Sequence, residues 1–208
     1  MKTVLCFGDS LTWGYNPTDG SRYEFDQRWP GILELEMNGQ VRVIEEALPG
    51  RTINSDSPFL PGRNGAEVLD MVLETHSPID IVIIMLGTND LWLGFDYSAS
   101  YITTACLSLV WKVQKSHAGP EFGAPKILLI SPPPLEKLSP LMDLFFKGRE
   151  KVSKELAGLY KIGAKASCVE FLDSSKYVKT STVDGVHLEP GEHNKLAKAV
   201  KKTIATML

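Results

Sequence analysis

IDIVIIMLGTND, residues 79–90, joins an apolar run to a glycine and three polar residues, and this stretch decides the fold class. The run lacks strict alternation of apolar and polar side chains, which is typical of a strand covered on both faces of a parallel sheet. Similar apolar runs occur elsewhere, so the sequence predicts five strands. They are the segments 3–7, 41–47, 79–86, 126–131 and a more weakly marked one at 167–172.

Segments with the apolar spacing of helices separate the predicted strands. This alternation is the pattern of a parallel sheet with a helical layer on each face. We therefore predict a single domain, residues 1–208, with a three-layer α/β/α sandwich around a mostly parallel five-stranded sheet of the flavodoxin-like kind. The predicted helices cover about 29–38, 65–76, 98–117, 141–162 and 191–207. We predict two long surface loops, 14–28 and 54–65, which lie at a pocket or a subunit contact.

Composition and charge narrow the classes of partner. The chain is 43% hydrophobic and carries a formal net charge of −3, so it has an ordinary core and no broad basic field for nucleic acid. No apolar run reaches the length of a membrane span, and no signal-peptide pattern is visible. Cys6, Cys106 and Cys168 are predicted to be free buried thiols in a reducing compartment, so we expect a cytoplasmic location.

The first predicted strand ends in Gly8, Asp9 and Ser10. A serine at the turn from a parallel strand into a helix can present its hydroxyl, and its own N–H, at the rim of the sheet. This position suits a nucleophile. The same three residues are also ordinary turn chemistry, in which Ser10 only caps a helix.

A serine nucleophile needs a base, and the sequence contains four histidines. His187 follows Asp184 in a loop before the last helix, where the spacing D-x-x-H lets the carboxylate reach the ring and fix its tautomer. The others are predicted to be structural: His76 and His117 in the last turns of helices, and His193 on the final helix. Acidic and thiol ligands are not arranged around these histidines, so no metal site is expected.

Two further loops contain candidate donors for the oxygen that becomes negative during acyl transfer. Gly50 follows the second strand and allows close approach of a backbone N–H, and Asn89 follows the third strand with a side-chain amide. Each loop taken alone is more simply explained as a turn. Together with Ser10 and the Asp184/His187 pair, however, they follow successive strands and are predicted to meet at one edge of the sheet.

Four blocks in this order resemble the SGNH, or GDSL-type, hydrolase superfamily: GDSL at 8–11, Gly50 in LPGRT, GTND at 87–90 and DGVH at 184–187. The longer start GDSLTWG and the loop-rich segment before Trp29 resemble the arylesterase and acyltransferase branch. The resemblance covers nearly the whole chain and implies the SGNH hydrolase fold. One residue departs from the pattern, because this chain has Leu48 where many relatives have an asparagine.

The resemblance also implies roles for the residues in these blocks. Ser10 would attack the ester carbonyl, His187 would act as base and then as acid, and Asp184 would orient His187. The Ser10 and Gly50 N–H groups and the Asn89 side chain would form the oxyanion hole. No cofactor is implied, and a homo-oligomer is expected from the same branch.

The expected function is therefore that of a serine esterase for small short-acyl or aryl esters, with water or an alcohol taking the acyl group from Ser10. Trp13, Trp92 and Val186 are candidates for the substrate-binding wall, although both tryptophans also suit packing under loops. A carbohydrate acetylesterase or a thioesterase/lysophospholipase on the same triad is an alternative. A flavodoxin-like module that binds a phosphate or a nucleotide is the non-enzyme alternative.

Overall fold

The computed structural model describes residues 1–57 and 59–208, and its centre is one five-stranded sheet. All neighbouring strands run parallel, in the order β2-β1-β3-β4-β5. The predicted α/β class and its five strands are thus confirmed, and the sheet is parallel throughout. The strands are β1 Lys2–Gly8, β2 Val41–Ala47, β3 Ile81–Met85, β4 Lys126–Ser131 and β5 Glu170–Asp173.

Seven α-helices accompany the sheet in the described part of the chain. Several of these helices begin after a residue whose polar side chain accepts a hydrogen bond from a backbone N–H group of the first turn. The Asp9 carboxylate accepts from the Leu11 N–H, and the Asn64 amide oxygen accepts from the Ala66 N–H. The helices are α1 Ser10–Trp13, α2 Trp29–Glu36, α3 Gly65–His76, α4 Ala99–Lys115, α5 Pro140–Phe146, α6 Glu150–Ala166 and α7 Pro190–Ile204.

The helices bury both faces of the sheet. Leu5 and Phe7 of β1 belong to the core cluster under α3, α4 and α6, whereas Val4 and Cys6 belong to the cluster under α2 and α7. Successive side chains of a strand point to opposite faces, so one apolar strand supplies both cores. This is why the strand sequences lack the alternation of a half-exposed sheet.

The structure differs from the predictions at three places in the second half of the chain. The segment 141–162 is not one helix: α5 ends at Phe146 and α6 begins at Glu150, because Gly148 between them has φ +76, outside the helical region. Because α6 continues to Ala166, β5 begins later than predicted. Cys168 lies in the turn between α6 and β5 and is exposed, contrary to the prediction of a buried thiol, whereas Cys6 and Cys106 are buried.

The two predicted loops lie beside the carboxyl ends of the strands. In 14–28, Tyr15 and Arg22 form an isolated antiparallel bridge. The loop 54–65 includes Pro58, which lies outside the described residues. Among the residues that are described, no helix is both long and apolar enough to cross a membrane.

Candidate active site

Ser10 lies where β1 turns directly into α1, and its side chain is buried. The turn is tight at Gly8, where a Cβ atom would lie 2.1 Å from the Thr12 hydroxyl oxygen. Glycine is therefore required for the chain to enter α1 at this angle. The result is a serine hydroxyl at the carboxyl end of β1.

The Ser10 hydroxyl is the first member of a hydrogen-bonded chain of three side chains. Its Oγ lies 2.9 Å from Nε2 of His187, and Nδ1 of His187 lies 2.5 Å from Oδ2 of Asp184. A carboxylate accepts at Nδ1–H, so the neutral ring offers the lone pair of Nε2 to the hydroxyl. This is the arrangement in which a serine can lose its proton to a histidine.

Asp184 is held in its charged form by its surroundings. Burial favours a raised pKa, but the hydrogen bond and charge of His187, together with the Val186 and His187 N–H groups, outweigh it and hold the pKa of Asp184 below its ordinary value. Both N–H groups donate to Oδ1 at 2.9 Å. Oδ2 therefore remains free to accept from the imidazole.

The segment after β4 supports the Asp184 loop. The N–H of Glu136 donates to the Gly185 carbonyl at 3.0 Å, and the N–H of Ser139 donates to the Asp184 carbonyl at 3.1 Å. Gly185 has φ +80, and a Cβ there would lie 2.5 Å from the Lys137 carbonyl oxygen. The two segments therefore approach each other so closely that only glycine fits between them.

Tyr15 covers one face of the histidine. Its ring centroid lies 4.2 Å from that of His187, with 30° between the planes. The sequence interpretation did not select Tyr15, although it directly follows the GDSLTWG block, because an aromatic residue in a Gly- and Pro-rich loop carries no motif that predicts such a contact. In the structure it limits the positions available to the imidazole.

Gly50 and Asn89 line the same cavity as Ser10 and His187. The Nδ2 group of Asn89 donates to the Arg51 carbonyl at 3.0 Å, and Oδ2 of Asp9 lies 3.5 Å from it. An amide nitrogen has two hydrogens: one is bonded to the Arg51 carbonyl, and the other makes only the long 3.5 Å contact to Asp9. Gly50 adopts φ +79, the left-handed region in which glycine is favoured.

Three ionisable side chains are buried beneath the loops that contain Gly50 and Asn89. Burial raises the pKa of Asp9 and of Asp90 to about 7, and burial lowers the pKa of Arg51 to about 10. Both Asp90 oxygens accept from the Ile53 N–H, at 3.1 and 3.2 Å, and Nη1 of Arg51 donates to the Gly8 carbonyl. These contacts join the segments that follow β1, β2 and β3.

A cavity of about 300 Å³ opens above these groups and is walled mostly by apolar side chains. Trp92 and Val186 line it, whereas Trp13 is not among the described lining residues. The Trp13 ring instead lies against the Arg22 guanidinium, 5.1 Å from the ring centroid. The lining residues are Ser10, Tyr15, Pro49, Gly50, Phe59, Leu60, Asn89, Trp92, Met142, Phe145, Phe146, Val186 and His187.

The other histidines lie outside this cavity. His193 is buried in the core, where its Nδ1 accepts from the Trp29 N–H at 3.3 Å and burial lowers its pKa to about 3. His76 lies 2.8 Å from a carboxylate oxygen of Glu46. Among the described residues, no group of three or more His, Cys, Asp or Glu side chains could hold a metal ion.

A buried Ser–His–Asp chain at the carboxyl edge of a parallel sheet, with apolar walls around it, is the arrangement of an α/β serine hydrolase. The chain belongs to the GDSL-like lipase/acylhydrolase family, whose model matches residues 6–192, and it is an esterase. The resemblance to SGNH hydrolases of the arylesterase branch is thereby confirmed.

Solved structures extend the comparison over the whole chain. The inhibitor-bound aryl esterase of M. smegmatis is 40% identical with a TM-score of 0.96, and a carbohydrate acetylesterase from Sinorhizobium meliloti is 38% identical with a TM-score of 0.95; both alignments cover 100% of each chain. A G-D-S-L lipolytic protein from Veillonella parvula shares the fold, at 14% identity and a TM-score of 0.68, over 99% of each chain. The search of curated proteins gave no match.

Proposed function

We propose that this esterase hydrolyses small, uncharged carboxylic esters with short-acyl or aryl groups through an acyl-enzyme on Ser10. The hydrogen-bonded chain Ser10–His187–Asp184, with its 2.9 and 2.5 Å contacts, carries this proposal. The apolar walls of the 300 Å³ cavity favour an uncharged ester. The names of the aryl esterase and carbohydrate acetylesterase relatives agree with small esters as substrates.

In the first half of the reaction, Ser10 Oγ forms a bond to the ester carbonyl carbon as its proton moves to Nε2 of His187. The carbonyl oxygen becomes negative and accepts from the Ser10 and Gly50 N–H groups and the Asn89 amide. The bond to the leaving oxygen then breaks, and Nε2 returns the proton to that oxygen. The alcohol or phenol departs and leaves an acyl ester on Ser10.

In the second half, a water oxygen attacks the acyl carbon while His187 takes one of its protons. The bond to Ser10 breaks, the proton returns to Oγ, and a carboxylic acid leaves. Asp184 stays ionised throughout and stabilises the imidazolium that forms twice. An alcohol in place of water would give acyl transfer, and the apolar walls of the cavity favour binding of an apolar alcohol.

The same proposal covers the domain organisation, partners, location and oligomeric state of the protein. Residues 1–208 act as one catalytic domain on small-molecule esters, without nucleic acid or membrane as a partner, in the cytoplasm and as a homo-oligomer. Light scattering of the purified protein tests the oligomeric state. Activity on an acetylated sugar relative to phenyl acetate separates the arylesterase function from the carbohydrate acetylesterase alternative suggested by the Sinorhizobium relative.

The test of the nucleophile uses p-nitrophenyl acetate and a fluorophosphonate probe. We expect a burst of p-nitrophenol and one covalent adduct by intact mass in the wild type, both lost in Ser10→Ala. Ser100→Ala, an exposed serine on α4, is the matched control and keeps both signals. A wild type that neither hydrolyses the ester nor reacts with the probe would overturn the proposal and favour the nucleotide-binding alternative.

A further inference from the structure

A second apolar cavity adjoins the catalytic one and is called the outer cavity here. Its volume is about 190 Å³. Phe59, Trp92 and Phe145 line both cavities, so these three aromatic side chains lie at the boundary between them. In the described part of the chain, the residues that line the outer cavity are Phe59, Trp92, Leu93, Gly94, Phe95, Leu144 and Phe145.

Trp92 is the central member of this aromatic partition. Its ring is stacked on Phe95, with centroids 6.0 Å apart and 10° between the planes. It also contacts Phe145 at 6.1 Å and Phe59 at 6.4 Å in tilted arrangements. Truncation of this one side chain would therefore remove the largest of the three shared side chains and widen the boundary between the cavities.

The chemistry of both linings selects an apolar occupant. Among the described residues, no charged side chain lines either cavity, and the polar side chains of the catalytic cavity are Ser10, Asn89 and His187 at the reacting centre, and Tyr15. A sugar would find few partners for its hydroxyl groups here. Phe59 is 73% exposed and Leu144 is 72% exposed, so apolar surface remains uncovered at the outer cavity.

We propose that the outer cavity binds the distal part of an extended apolar arm of the ester, and that Trp92 limits the length of arm the enzyme accepts. The inference rests on the proposed function, because the arm is that of the ester attacked by Ser10. The continuity of the two cavities through three shared side chains supports it. The arm is either the acyl chain or the alcohol, and two substrate series distinguish these sources.

Two substitutions change the outer cavity in opposite directions. Trp92→Ala removes one of the three shared side chains and enlarges the apolar path between the cavities. Gly94→Leu adds an apolar side chain to a residue that lines the outer cavity, and a Cβ at Gly94 meets no atom within 4 Å, so the new side chain has room. The matched controls are Trp111→Ala, a half-exposed tryptophan on α4, and Gly158→Leu, an exposed glycine on α6 with equally open surroundings.

The measurement is kcat/KM for p-nitrophenyl esters from acetate to decanoate and for acetates of alcohols of the same lengths. Each additional methylene that becomes buried is expected to contribute about fourfold in kcat/KM. In one of the two series, Trp92→Ala should raise the ratio of long-chain to two-carbon substrate by about this factor per methylene, and Gly94→Leu should lower it. Both controls should keep the wild-type ratios.

The outcomes separate this inference from the proposed function. If the wild type hydrolyses acetate but neither variant changes the length profile in either series, the inference is overturned and the proposed function stands. If the wild type hydrolyses no ester, the proposed function fails. If the variants change only the molecular mass in solution, a second copy of the chain covers the outer cavity, and this also overturns the inference.

Discussion

Substitution of Asp90 by asparagine should stabilise the protein, and the gain should grow with pH. Asp90 is fully buried, and burial raises its pKa to about 7 from an ordinary value of 3.8, with the nearby charge of Asp9 as a further contribution. Both of its oxygens share one donor, the Ile53 N–H, at 3.1 and 3.2 Å. Asparagine keeps one such oxygen and removes the ionisation.

The sign and size of this stability change follow from the pKa of Asp90 in the folded protein and in the unfolded chain. Between pH 4 and 7 the folded protein keeps a proton on Asp90 that the unfolded chain has lost, so the free energy of unfolding falls as pH rises through this window. A shift of about three units corresponds to about 4 kcal/mol, the upper value for Asp90. Asp90→Asn cannot undergo this loss, so its advantage over the wild type should appear above pH 4 and level off above pH 7.

The measurement is urea unfolding of wild type and variant at pH 4.5, 6 and 8, followed by far-ultraviolet circular dichroism. Burial lowers the pKa of His193 to about 3, so His193 destabilises the fold as pH falls below 6.5. Its contribution to the free energy of unfolding therefore changes with pH in the opposite direction to that of Asp90. Both proteins contain His193, and its contribution cancels in the difference. Asp26→Asn, at an exposed carboxylate, is the control. An effect of Asp90→Asn that is equal at pH 4.5 and 8 would refute the reasoning.

Three further results are expected. Asp184→Asn should lower kcat on p-nitrophenyl acetate by about 10⁴-fold, because it favours the wrong His187 tautomer; a loss below tenfold would contradict this role. Tyr15→Ala should lower kcat/KM on phenyl acetate up to about tenfold while Tyr15→Phe retains it, since the stacked ring and not the hydroxyl contacts His187; equal losses would contradict this. Gly87→Ala should lower the free energy of unfolding in urea by about 1–3 kcal/mol, because φ is +120 and a Cβ would lie 2.6 Å from the Tyr160 hydroxyl; an unchanged midpoint would argue against it.

The strands, and their burial on both faces of the sheet, could be predicted from the sequence because a strand covered on both faces is a continuous apolar run. The run 79–86 contains β3, and 126–131 coincides with β4. The break at Gly148 was missed because the apolar spacing continues from α5 into α6, and spacing alone does not report a left-handed residue. The late start of β5 has the same origin, since α6 continues to Ala166.

The residues of the candidate site could be predicted from the sequence because its candidate catalytic residues follow the ends of strands. In a parallel sheet those ends share one edge, so Ser10, Asn89 and the Asp184 loop meet there whatever the lengths of the crossovers. The cavity walls depend instead on segments from elsewhere. Met142 and Phe145 come from α5, which reaches the cavity through tertiary packing that no local pattern encodes.

Leu48, the departure from the family pattern, does not leave the second donor loop without support. The N–H of Leu48 donates to the Gly8 carbonyl at 3.2 Å, and its own carbonyl accepts from the Arg51 N–H at 3.0 Å. The Arg51 guanidinium also donates to the Gly8 carbonyl and lies 4.4 Å from the Phe7 ring centroid. A buried cation and backbone bonds thus hold Gly50 beside β1, so the position of this proposed oxyanion donor does not require an asparagine at residue 48.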